Sequence, residues 1–124
     1  MSSNATRAWL KPSTLTTSLI AAVGRPWEIY RSNFDAASNR VVDLYTKSGN
    51  VGAYSAMLAV IPDLGVGFSI LVATEVDGRP YVIADWIAEI IIPAVEEVAR
   101  KETDSKFAGT YTAKNLNSTI TLST

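Results

Sequence analysis

The sequence predicts an α+β fold: an antiparallel meander of three to five strands packed by a C-terminal helix, then the start of a small β domain. Three observations lead there. Between residues 40 and 74, three strand-like runs follow one another across short turns, and short connections favour antiparallel neighbours. Ile83, Trp86, Ile87, Ile90, Ala94 and Val98 then recur at helical spacing as a wide apolar stripe. Beyond them, residues 107–112 and 119–122 return to strand character.

Taken in order, the first four residues are polar and expected to fray. Residues 9–13 read as an extended entry, because Pro12 biases Lys11 away from helix. Residues 14–23 are small and β-branched and stop at Gly24, a loop or one short helix. Residues 26–31 alternate large and polar side chains, as a strand does, and residues 32–39 form a polar surface loop. In the strand of residues 40–47, Val42, Leu44 and Thr46 share one face, and Val41, Asp43, Tyr45 and Lys47 the other.

Gly49 and Gly52 supply the next turn, and Pro62-Asp63-Leu64-Gly65 the one after. The strands that these turns bound, 53–61 and 66–74, are apolar on both faces. Asp77-Gly78-Arg79-Pro80 leads into the helix, where Glu96 with Arg100 and Glu97 with Lys101 are spaced as i,i+4 ion pairs. Pro93 is expected to kink this helix or to start its second half, and residues 103–106 to break it. Residues 1–103 then form the main domain, and 104–124 the start of a truncated small β domain whose strands have nothing yet to pair with.

Strands that are apolar on both faces need both faces covered. One helix covers only one. The expected cover for the other is a missing N-terminal part of the same protein, a partner or a second copy. At 48% apolar and 19% charged, the 124 residues are those of one ordered domain. A net charge of -1 removes the electrostatic case for nucleic acid, and no apolar run is long enough for a membrane span. The chain has no Cys and no His, which excludes a Ser-His-Asp triad, a Cys nucleophile and nearly all zinc sites within it. Acid–base work falls to Lys, Tyr or carboxylates. No signal peptide is visible; glycosylation triplets at Asn4 and Asn117 lean slightly towards a secreted parent and allow a secreted binding module as a minor reading.

The run Tyr45-Thr46-Lys47-Ser48-Gly49-Asn50-Val51-Gly52 carries the chemistry. An acyl-transfer site needs a cation at a strand edge to attract a substrate carboxylate, a small hydroxyl to hydrogen-bond the substrate, and a backbone N–H for the tetrahedral oxyanion. Gly lets the substrate approach the strand closely. Lys47, Ser48, Gly49 and the N–H of Asn50 match those roles in order. The plain alternative is a solvated Lys before a Ser-Gly turn. Asp43 shares a strand face with Lys47 and is a candidate ion-pair partner for it. Trp27 and Trp86 read as core, and Asp85 with Glu89 as a solvated helix face. Gly65-Val66-Gly67 leads into a strand, so it is no phosphate loop.

Several segments carry a wider resemblance: Trp9-Leu10-Lys11-Pro12, the run from Val23 through Arg31, Lys47-Ser48-Gly49, Gly52, Tyr54-Ser55, Ile61-Pro62-Asp63, Val66-Gly67-Phe68-Ser69, Pro93-Ala94-Val95-Glu96 and Phe107-Ala108-Gly109-Thr110-Tyr111. With them the chain resembles the C-terminal part of the class C β-lactamase and esterase-like, penicillin-binding-like serine hydrolases, and in particular the fungal β-lactamase-related proteins. The resemblance implies a β-lactamase/transpeptidase-like fold. It implies hydrolysis or transfer of an acyl group from a small-molecule amide or ester through an acyl-Ser intermediate, with no metal or organic cofactor. In that family a Ser-x-x-Lys motif and a Tyr-x-Asn-type motif precede the Lys-Thr/Ser-Gly strand. This chain has neither, so the resemblance implies a C-terminal fragment that is inactive alone. A non-catalytic remnant that dimerises or docks on a partner is the alternative.

Overall fold

The computed structural model describes residues 3–34, 40–74 and 78–123. The tip of the expected 32–39 loop and the Asp77 that opens the helix turn lie outside them. Within them, six strands form one antiparallel meander in sequence order: β1 Thr14–Leu15, β2 Ala21–Val23, β3 Glu28–Ser32, β4 Val42–Val51, β5 Tyr54–Ile61 and β6 Val66–Ala73. Helix α1, Ser3–Trp9, precedes the sheet. Helix α2, Arg79–Phe107, follows it, and β7 Gly109–Thr112 pairs with β8 Thr119–Leu122 as a separate hairpin.

The long strands arise as their patterns predict. Val42, Leu44 and Thr46 are all buried on one face of β4. Their neighbours on that face follow from the register: Thr46 lies opposite Ala59, Ser48 opposite Met57, and Met57 opposite Ile70. Gly52 turns the β4–β5 hairpin at φ 58°, a left-handed conformation that costs a side-chain-bearing residue about 1–2 kcal/mol. Gly67 is needed for another reason. A Cβ there would stand 2.9 Å from the Ala59 carbonyl oxygen of the adjoining strand.

Helix α2 lies across this face, but not on the expected stripe. Its buried positions are Pro80, Ala84, Ala88, Ile92 and Glu96, each four residues from the last. Of the expected stripe, Ile83 and Ile87 are half-buried at the sheet, whereas Trp86, Ile90 and Val98 are exposed. The helix is apolar on most sides, so periodicity does not choose its seat. The small side chains of Ala84 and Ala88 let its backbone come close to the strands, and the larger side chains flank the contact. Val42, Leu44, Ile61, Ala88 and Ile92 form one core cluster; Met57, Ile70 and Ala84 form the second.

Several local expectations are corrected. Residues 14–23 hold two short strands, fixed by Ser13 N–H to the Val23 carbonyl at 2.7 Å and by Thr16 Oγ1 to the Ala21 carbonyl at 2.8 Å. Residues 3–9 are helical, so Trp9 ends a helix and does not begin an extended entry. Strand β4 runs to Val51, which places Gly49 within the strand and leaves Gly52 to make the turn. Pro93 does not divide α2, although it removes the N–H that would bond the Glu89 carbonyl. Residues 103–106 stay helical, with the Thr103 and Ser105 hydroxyls turned back onto the Ala99 and Glu102 carbonyls. Lys101 pairs with Glu97 as expected, but Arg100 also turns to Glu97, and Glu96 pairs with Arg40. The last strands do find a partner, namely each other.

The sheet face away from α2 is covered at one end. There Trp9 packs on the buried Trp27 with ring centroids 4.8 Å apart, and Trp27 meets Tyr45 edge-on at 6.2 Å. Elsewhere Val51, Tyr54, Leu58 and Leu71 stand exposed.

Candidate active site

Strand β3 begins at Glu28, which lies opposite Thr46. Beyond Thr46, β4 is therefore paired, among the described residues, only with β5, and Lys47 to Val51 present a free edge on the other side. The Lys-Ser-Gly triplet sits in the middle of β4 at the start of that edge, not at a strand end. The Ser48 carbonyl points along the free edge, where it accepts a hydrogen bond from Lys47 Nζ at 2.9 Å. Backbone groups alternate sides along a strand, so Asn50 shares the Ser48 side. A Cβ on Gly49 would meet nothing within 4 Å.

Ser48, Thr46 and Glu28 lie on the α2 side of the sheet, as the register requires. Ser48 Oγ accepts a hydrogen bond from the Tyr81 hydroxyl at 2.9 Å and donates to Glu28 Oε2 at 3.3 Å. Lys47 Nζ donates to Glu28 Oε1 at 2.7 Å. One carboxylate thus holds both the cation and the hydroxyl of the triplet. The hydrogen bond to Glu28 raises the Lys47 pKa above its ordinary value, and the charge of Glu28 adds to the effect. Tyr30, on the same face, is also raised, first by burial and then by Tyr81 and Glu28 nearby.

A cavity of about 270 Å³ adjoins this cluster between α2 and the sheet, lined by Tyr30, Thr46, Met57, Tyr81, Ala84 and Asp85 among others. On the opposite face, an open groove of about 620 Å³ runs along Gly49, Asn50, Val51, Tyr54 and Leu71 at the hairpin tip. The free edge that begins at Lys47 lies between them.

Lys47, Ser48, Gly49 and Asn50 are therefore contiguous on one strand edge. Asp43 is not the partner of Lys47. It lies opposite Arg31, which reaches it with Nε at 2.8 Å and a second nitrogen at 3.1 Å. Trp27 is core, but Trp86 is 60% exposed. Asp85 and Glu89 are exposed, as a solvated face would be. Sequence reasoning gave no role to Glu28, Tyr81 or Tyr30. The contacts of Glu28 depend on the β3–β4 register, and those of Tyr81 on the rotation of α2 about its axis. Neither has a signature in local spacing. Among the described residues, no group of three carboxylate, Cys or His side chains is placed to hold a metal, and no helix is long and apolar enough to cross a membrane.

No family model matches the chain, and no solved structure does. Curated relatives do. The chain is 37% identical over 115 residues to a β-lactamase-like protein of Arthroderma benhamiae, a match covering 91% of this chain and 19% of that relative. It is 28% identical over 119 residues to the probable hydrolase clz13 of Cochliobolus lunatus, and 27% identical over the same length to the probable hydrolase M10 of a Phoma species. Each of those two matches covers 93% of this chain and about a fifth of the relative. Over nearly all of its own length the chain is thus similar to fungal β-lactamase-like and probable hydrolase proteins, and it spans about a fifth of the length of the relatives it matches.

Proposed function

We propose that this chain supplies the Lys-Ser-Gly wall of an acyl-transfer site in a serine hydrolase that cleaves an amide or ester through an acyl-Ser intermediate. The observation that carries this reading is the free edge of β4, with Lys47, Ser48 and Asn50 in sequence along it and no strand opposite among the described residues. In this reading Lys47 is the cation of the site, Ser48 the hydroxyl that hydrogen-bonds the substrate, and Gly49 the point of close approach. The Asn50 N–H is one donor of the oxyanion hole. The nucleophile and its Lys come from a part of the protein that this chain does not contain, so the chain alone is inactive. The sheet and α2, which runs past the expected boundary at residue 103 to Phe107, contribute to the β-lactamase-like domain, and the β7–β8 hairpin opens a small β domain. The hydrolase names of the relatives support the reaction class. The test is Lys47→Ala in the complete protein. Turnover is expected to fall while the circular dichroism spectrum and melting temperature hold; unchanged turnover removes Lys47 from the mechanism.

A second reading is favoured by the exposed apolar side chains on both outer surfaces, Leu58 and Leu71 on the sheet and Trp86 and Ile90 on the helix. In it, the chain is a non-catalytic remnant that dimerises or docks on a partner. Sedimentation of the purified chain tests this. A well-behaved monomer rules out the dimer and weakens the docking version.

A further inference from the structure

The Lys47 ammonium is the cation of the free edge, yet its charge is already answered. Glu28 Oε1 holds it at 2.7 Å, while Oε2 accepts from Ser48 Oγ at 3.3 Å. The first residue of β3 therefore occupies the two side-chain groups that a substrate carboxylate would need. Such a substrate would bring a second negative charge to a lysine that already carries one. Tyr30, Tyr81 and Asp85 surround the cluster from β3 and α2 and add no positive charge; Arg31 also lines the cavity, but its guanidinium is held by Asp43.

We propose that Glu28 sets the charge preference of this site: by holding Lys47 and Ser48 together, it selects uncharged acyl substrates over those that bear a carboxylate beside the scissile bond. The proposal rests on the acyl-transfer reading. In it Glu28 is a specificity residue that acts through Lys47, and the ammonium keeps its electrostatic influence on the edge without serving as a counter-ion for the substrate. The pair is partly solvated, with side chains 45% and 35% exposed. Its effect is therefore one of preference and not of complete exclusion.

The test uses the full-length protein that contains this segment and two esters of equal chain length, 4-nitrophenyl butyrate and mono-4-nitrophenyl succinate, which differ by a terminal carboxylate. The wild type is expected to have the higher kcat/KM for the butyrate ester. Glu28→Gln keeps the shape of the side chain and is expected to raise the succinate-to-butyrate ratio by roughly fivefold. Adding Lys47→Met to Glu28→Gln is expected to abolish that gain, which a purely structural role for Glu28 does not predict. A wild type that prefers the succinate ester overturns the proposal without any variant, and so does a ratio that Glu28→Gln leaves unmoved. If no protein cleaves either ester, the acyl-transfer reading fails. Calorimetric titration with phenylacetate then decides the charge preference: tighter binding to Glu28→Gln than to wild type supports it, and equal binding overturns it.

Discussion

The Tyr81 hydroxyl donates to Ser48 Oγ across 2.9 Å, tying the first turn of α2 to the middle of β4, thirty-three residues earlier in the chain. This contact fixes where the helix begins relative to the strand edge. Tyr81→Phe deletes it and keeps the ring. The expected loss is about 0.5–1 kcal/mol, because the hydroxyl is near solvent and water replaces part of the bond. Urea unfolding followed by circular dichroism measures it; a stability equal to wild type would mean that the bond is not formed in solution.

The seat of α2 predicts a contrast between two isoleucines two positions apart. Ile92 is 1% exposed within the Val42–Leu44–Ile61 cluster, and Ile90 is 72% exposed. Ile92→Ala should cost about 2–5 kcal/mol by leaving a cavity. Ile90→Ala should stay within about 0.5 kcal/mol of wild type in this chain. The reverse order would rotate the helix onto the stripe that periodicity alone suggests.

Glu96 is the buried acid of α2. Its Oε1 meets Arg40 at 3.3 Å, and its Oε2 has no hydrogen-bond partner among the described residues. Arg40→Ala strips a buried carboxylate of its counter-charge and should cost about 1–3 kcal/mol. Glu96→Leu removes the burdened group itself and should cost less, or stabilise. Chemical denaturation of the two variants under identical conditions ranks them, and equal losses would argue that the pair is bathed in water.

Alkaline pH should weaken the fold. The Lys47 pKa is raised above its ordinary 10.5 by the hydrogen bond to Glu28. Those of Tyr30 and Tyr45 are raised above 10.0, chiefly by burial. In each case the folded state holds the proton more tightly than the unfolded chain. The resulting stability is complete below about pH 10 and is lost as pH rises through the folded-state values. The urea midpoint should fall across that window. Glu28→Gln should remove the lysine part of the slope, and Tyr30→Phe the Tyr30 part.

The strands β4, β5 and β6 were legible because each is long enough for its face pattern and its turn residues to agree. Gly52 and the Pro62–Gly65 turn mark where each hairpin closes. Strands β1 and β2 are only two and three residues long. No period can be read over that length, and main-chain pairing of β2 with β3, and of β1 with β2, holds them in place. The helix itself was legible, but not its buried face, since positions 80, 84, 88 and 92 and positions 83, 86, 87 and 90 are both largely apolar. Side-chain size settled what hydrophobicity left open. In the site, the Lys47-Ser48-Gly49 triplet declared itself by local sequence. Glu28 did not, because it stands nineteen positions away and reaches Lys47 only through the β3–β4 register.

Glu96 is the last buried residue of α2, and the helix continues to Phe107. At about 1.5 Å per residue, those eleven further residues form a stalk of roughly 16 Å that leaves the sheet behind. Lys101 and Lys106 brace it by pairing with Glu97 and Glu102 along its sides. The β7–β8 hairpin, exposed along all of its length, is carried at the end of this stalk. Within this chain the sheet is thus a pedestal and the end of α2 an arm. Trimming turns from the arm should shorten the reach of the hairpin and leave the pedestal's melting behaviour as it was.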